Sequence, residues 1–98
     1  MASENDYLVL SNGQRVRFEV NLNSLADFAE KTGISISDLS GPLTSNNMAA
    51  VRTFIHCCVV EGEQNEGREF PETEIELASK IRLVQVKQAM SMLTSQVK

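Results

Sequence analysis

The sequence predicts an α+β fold, mainly helical, with an N-terminal two-stranded β-hairpin packed on a bundle of four or five α-helices. Three observations predict it. Asn12-Gly13 sits between two runs of alternating apolar residues, YLVLS and QRVRFEV. The stretch from Asn47 to Glu61 is apolar nearly all round between Phe54 and Val60, where His56 is the one polar side chain. On either side of it, apolar residues recur at helical spacing between residues that start and stop helices. A helix that is apolar on every face has to be covered on every face, so the other elements read as its covering. The apolar run is far shorter than the roughly 20 residues needed to span a bilayer.

Met1 to Asn5 reads as a disordered lead-in with neither the basic start nor the apolar stretch of an export signal. Asn-Gly accepts the positive φ angles of a type I′ turn and is the strongest short-range hairpin signal. With a two-residue loop, Val9 faces Val16 and Tyr7 faces Phe18. One sheet face then carries Tyr7, Val9, Val16, Phe18 and Val20 into the core, and the other carries Leu8 and Leu10 beside Arg15, Arg17 and Glu19. Asn21 or Asn23 caps a helix whose apolar positions are Leu22, Leu25, Ala26, Phe28 and Ala29, and Gly33 stops it. Ser35 and Asp38 form a capping pattern for a short second helix ending at Gly41-Pro42, with Ile34 and Leu39 as its hydrophobic staple. Thr44, Ser45 and Asn46 are alternative caps for the central helix, which Gly62 is expected to close. Its core positions are expected to be Met48, Val51, Phe54, Ile55, Cys58 and Val59.

Glu61 to Glu69 carries four glutamates and two glycines with no apolar side chain, and reads as a solvated loop. Phe70 anchors its far end. Pro71 suits a first helical turn, and Glu72, Glu74 and Glu76 suit a helix N-terminus electrostatically. The C-terminal segment is helical with a break near Lys80 to Arg82. Beyond the break Leu83, Val86, Met90, Leu93 and Val97 recur at steps of three and four, widened by Ala89 and Met92.

Composition narrows the function. The chain of 98 residues is one domain, residues 1–98, whose core must be aliphatic because there are no Trp, one Tyr and four Phe. Nine basic residues against 13 acidic ones give a net charge of −4, which disfavours nucleic acid as a partner because phosphate binding draws on clustered Lys and Arg. Both cysteines, Cys57 and Cys58, are adjacent in the apolar run, as expected of buried thiols in a reducing compartment. With His56 they form the one cluster of metal-binding residue types. Consecutive helical residues point about 100° apart, so the three do not converge on one ion, and the histidine is poorly placed to activate a thiol. The glutamates of the acidic stretch lack the Asp, Asn and Gly spacing of a calcium loop. The expectation is therefore a protein that is not an enzyme, has no catalytic residues and takes no cofactor or metal.

Two apolar surfaces are left for a partner once the core is assigned: Leu8 and Leu10 on the outer hairpin face, and Met90, Leu93 and Val97 at the end of the C-terminal stripe. Methionine adapts to varied surfaces and a terminal helix can reposition, so the C-terminal set is the stronger candidate. The hairpin edge offers pairing with another copy, a homo-oligomer.

The run from Asn12 to Leu39, NGQRVRFEVNLNSLADFAEKTGISISDL, resembles the opening of small phage tail assembly chaperones. The resemblance is carried by Asn12, Gly13, Phe18, Asn21, Leu22, Asn23, Leu25, Phe28, Thr32, Gly33, Ser35 and Leu39. Ala29 departs from a frequent Glu of that family, and the central helix lacks its usual aromatic residue. The resemblance implies a non-catalytic chaperone that keeps the tape-measure protein soluble and helps recruit tail-tube subunits. It also implies work in the cytoplasm of a bacterial host and absence from the mature virion. The alternative is a small cytosolic regulator or adaptor, antitoxin-like or anti-repressor-like, that binds one folded partner.

Overall fold

The long helix α2, Met48–Asn65, lies at the centre of the chain's packing, and the order around it is β1 (Tyr7–Val9), β2 (Arg15–Arg17), α1 (Leu22–Thr32), α2, α3 (Glu74–Ala78) and α4 (Leu83–Gln96). The computed structural model describes residues 6–33 and 48–96. Among these the fold is α+β, a two-stranded antiparallel sheet with four helices. The lead-in Met1 to Asn5, the short helix expected after Ser35, its staple, and the caps Thr44, Ser45 and Asn46 lie outside the described residues.

The hairpin forms, but in a register one residue from the expected one. Tyr7 pairs with Arg17, Leu8 with Val16 and Val9 with Arg15. The loop is Ser11-Asn12-Gly13, closed by Leu10 N–H donating to the Gln14 carbonyl at 2.8 Å, with Gly13 N–H donating to the Leu10 carbonyl at 2.9 Å. Gly13 takes φ 87°, and Asn12 Oδ1 accepts from Gln14 N–H at 3.0 Å. This is the three-residue hairpin, a tight turn followed by a left-handed glycine, and Asn-Gly serves it as well as it serves the two-residue type I′ loop. A one-residue slip reverses which side of β1 faces the core. Leu8 and Leu10 are 0 % and 2 % exposed beside Val16 and Phe18, while Val9 is 41 % exposed. Tyr7 and Phe18 therefore stand on opposite faces, contrary to the expected pairing. Packing decides between the loops: two leucines enter the core at about 2 kcal/mol each, and the Tyr7 hydroxyl stays where a carboxylate can reach it.

The helix α1 is bounded as its sequence suggests. Asn21 is the N-cap and forms a reciprocal capping box with Ser24, and Gly33 ends the helix with its N–H on the Ala29 carbonyl. Phe28 packs its ring at 90° to Phe54 of α2, with centroids 5.5 Å apart, and Phe18 of the sheet meets the same ring at 6.3 Å. Edge-to-face contacts of this kind add roughly 1 kcal/mol to the area they bury. Val51, Phe54, Ile55, Cys58 and Val59 are buried as expected, whereas Met48 is 53 % exposed.

The helix α2 does not end at Gly62. It runs on to Asn65 and closes at Gly67, where Arg68 N–H donates to the Glu63 carbonyl and Gly67 N–H to the Gln64 carbonyl, the two bonds of a Schellman cap. Gly62 does a different job. A Cβ there would lie 2.4 Å from the carbonyl oxygen of Arg17, so β2 crosses the helix where no side chain stands. In the gap Glu19 N–H reaches the Cys58 carbonyl at 3.0 Å. The expected solvated loop is thus half helix, and two of its glutamates are buried. Glu61 accepts from the amides of Asn21 and Asn23 at 2.9 and 3.3 Å, and Glu63 accepts from Arg68 at 2.6 Å.

Pro71 precedes α3 rather than opening it. The N-cap is Thr73, whose side chain and that of Glu76 bond each other's backbone N–H. The break at Lys80 to Arg82 is present, and the Lys80 carbonyl there accepts from Ser11 N–H at 2.9 Å, tying the hairpin tip to the link between α3 and α4.

Candidate partner-binding surface

The buried side of α4 is centred on Gln85, Ala89 and Met92, spaced by four and three residues, and α4 packs on β1. The small Ala89, fully buried, lets the helix approach the hairpin closely. Gln85 joins the buried side although polar, because its side chain turns back to accept from Arg82 N–H at 2.7 Å and caps the helix start. The stripe Leu83, Val86, Met90 and Leu93 consequently lies on the shoulder of the helix, not at the centre of its packing. Leu83 is 67 % exposed, and Val86, Met90 and Leu93 are half-buried against the core.

At the foot of this shoulder is an apolar groove of about 100 Å³. One wall is α2, through Met48, Val51 and Ile55, with Arg52 as its one charged lining residue. The other is built by Leu77 and Ala78 of α3, Ile81 of the link and Val86 of α4. That volume suits one branched aliphatic side chain. Exposed apolar residues extend the groove by single helical turns: Ile75 precedes Ala78 by three positions and Leu83 precedes Val86 by three, at 69 % and 67 % exposure. Arg52 is held at the rim by Glu74, which accepts from its Nε at 2.9 Å and from Thr53 Oγ1 at 2.8 Å. Burial raises the Glu74 carboxyl, but these donors outweigh it and hold the group below its ordinary range.

The residues expected to meet a partner separate accordingly. Met90 and Leu93 lie on the apolar shoulder, above Val86 and the groove. Val97 lies outside the described residues. Leu8 and Leu10 are core residues, and the reversed face of β1 removes them from any outer surface. The groove itself was not legible, since it is assembled from three helices and a link. Its one sequence signal is the spacing of Leu77 and Ile81 by four residues across the start of the break.

The side chains of His56, Cys57 and Cys58 are each held by packing or hydrogen bonding. His56 Nε2–H donates to the Glu72 carbonyl at 2.9 Å and the ring meets Phe70 at 6.1 Å, which fastens the approach to α3 onto α2. Cys57 and Cys58 are both buried. Burial pushes the Cys57 thiol up to about 11, and Cys58 further still, with the neighbouring Ser24 hydroxyl offsetting part of that rise. Thiols held in this way are poor nucleophiles and poor metal ligands. Among the described residues no group of three His, Cys, Asp or Glu side chains could hold a metal ion, and no helix is long and apolar enough to cross a membrane.

A second polar assembly ties the hairpin to the end of α2. The Tyr7 hydroxyl donates to Glu66, Arg17 bridges Glu66 at 3.3 Å and Glu19 at 2.8 Å, and Arg15 stacks over the Tyr7 ring at 4.7 Å. The Tyr7 bond, followed by Arg17 and Arg68, holds the Glu66 carboxyl below its usual range against a smaller opposing effect of burial. Carboxylates at a helix C-terminus oppose the helix dipole, and these arginines offset them.

No family model matches the chain, and neither a curated protein nor a solved structure shows significant similarity to it.

Proposed function

We propose that the protein is a non-catalytic chaperone of phage tail assembly, which keeps a tape-measure protein soluble and helps recruit tail-tube subunits. The observation that carries a binding role is the groove at Met48, Ile55, Leu77 and Val86, continuous with the shoulder Leu83, Met90 and Leu93. An amphipathic client helix could seat one aliphatic side chain in the groove and lay the next turns along the shoulder, the geometry of helix-in-groove recognition. The net charge of −4 keeps such a complex dispersed. The tail-chaperone assignment rests on the resemblance of Asn12 to Leu39. Its motif residues Gly13, Asn21 and Gly33 form the hairpin loop and the two caps of α1, so the motif specifies the fold rather than the contact.

The test is co-expression with the tape-measure protein, comparing wild type with Met90→Asp/Leu93→Asp and with Met48→Asp/Leu83→Asp. The second pair is largely exposed and spares the core. Loss of the client from the soluble fraction, with circular dichroism of the variants unchanged, is expected. A client that stays soluble with both folded variants would remove this surface. A client left insoluble by wild type while the protein binds one folded host protein would favour the regulator or adaptor reading.

A further inference from the structure

Among the described residues the outer edge of β1 is left without backbone partners. In the observed register Leu8 and Val16 face each other as a hydrogen-bonded pair, flanked by the bonds Leu10 N–H to Gln14 and Phe18 N–H to Asp6. The alternation of an antiparallel ladder then turns the N–H and C=O of Tyr7 and Val9 away from β2. Among the described residues no backbone or side-chain group takes any of these four groups. The stretch ends at Ser11, whose N–H is taken by Lys80. Edge strands are commonly blunted by Lys, Pro or a bulge, and Tyr7-Leu8-Val9 has none of them, while the arginines of the hairpin are both on β2.

We propose that β1 pairs with β1 of a second copy, making a four-stranded sheet across a two-fold axis at Leu8. Antiparallel pairing with Leu8 opposite Leu8 sets Tyr7 against Val9 of the other copy, twice. All four free groups of each chain are then satisfied by residues of β1 alone. The outer face gains two Tyr-Val cross-strand pairs, and no charged side chain of one β1 opposes a charge on the other. The surface is self-complementary, as a two-fold interface requires. Three residues a side bury well under the roughly 1,200 Å² of a lasting interface, so the dimer forms and dissociates with concentration.

Sedimentation equilibrium up to about 1 mM, the range in which so small an interface registers, should show the mass rising from 10.8 kDa towards twice that value. Over the same range hydrogen exchange at the Tyr7 and Val9 amides should slow in step with the mass, while Leu8 and Leu10 stay protected throughout. Val9→Pro removes an edge N–H that has no partner within the chain, and Val9→Lys sets a charge at the edge. Both should remain at the monomer mass. Should the proline variant fail to fold, the lysine variant and the wild-type exchange data decide. A mass fixed at 10.8 kDa throughout, as expected if the edge accepts only a strand of another protein, would overturn the proposal. So would a dimer that survives in folded Val9→Lys or leaves the Val9 amide unprotected.

Discussion

Gly62→Ala should destabilise the protein although it places alanine in a helix interior. On helix propensity alone the change gains about 1 kcal/mol, because glycine is the poorer helix former by that amount. The structure reverses the sign. The new Cβ would stand 2.4 Å from the Arg17 carbonyl oxygen and 2.6 Å from its carbon, and neither is the end of a flexible side chain. Strand β2 has to lift by about 1 Å to restore an ordinary contact, with overpacking costs of this sort running at about 1–3 kcal/mol. The lift also stretches the 3.0 Å bond from Glu19 N–H to the Cys58 carbonyl, a further loss of about 1 kcal/mol, and loosens Phe18 on Phe54. The net expectation is about 1–3 kcal/mol of destabilisation, read from the urea midpoint at unchanged slope. Gln64→Ala, at an exposed position of the same helix, is the control and should fall within about 0.5 kcal/mol of wild type. A Gly62→Ala variant more stable than wild type would refute the seating of β2 on α2.

Glu74 and Glu76 are held below their unfolded value near 4.5, Glu76 by the Thr73 cap and Glu74 by Arg52 and Thr53 outweighing burial. They therefore contribute stability above that pH which is lost as pH falls through the folded values. Glu74→Gln/Glu76→Gln keeps acceptors at both sites and should flatten the fall in Tm below about pH 4.5, and an acid limb parallel to wild type would contradict this. A disulfide reagent at pH 8 should modify Cys57 and Cys58 only as fast as the chain opens, and both at once in urea, with chelators leaving Tm unchanged. One thiol per chain reacting at once in the native protein, or stoichiometric zinc after purification, would count against the buried structural role.

Local chemistry was the readable part of this sequence. Asn21 and Gly33 bound α1 because capping needs only residues next to the helix end, and the break at Lys80 to Arg82 was visible in the apolar spacing on either side. The hairpin was legible and its register was not, since Asn-Gly fits two loops and the choice falls to burial of Leu8 and Leu10 across the sheet. Gly62 and Gly67 look alike in sequence. One closes a helix and the other clears a crossing, and only the position of β2 tells them apart. Glu61 and Glu63 read as solvent-facing because their partners Asn21, Asn23 and Arg68 are set by tertiary contact. The apolar stripe of α4 is legible in its spacing, but the side of the helix that packs is not. Gln85 carries no apolar signal, yet it is buried with Ala89 and Met92 and so leaves the stripe on the shoulder of the helix.

If a client helix binds along the groove and the α4 shoulder, the methionine methyl groups report on it most directly. Met48 is 53 % exposed at the groove, Met90 lies half-buried on the shoulder, and Met92 is 6 % exposed on the buried side of the same helix. Titrating a methyl-labelled sample with an amphipathic helical segment of the tape-measure protein should shift or broaden the Met48 and Met90 signals together and leave Met92 in place. Saturable binding that moves neither Met48 nor Met90, or that moves Met92 alone, would contradict the assignment of this surface.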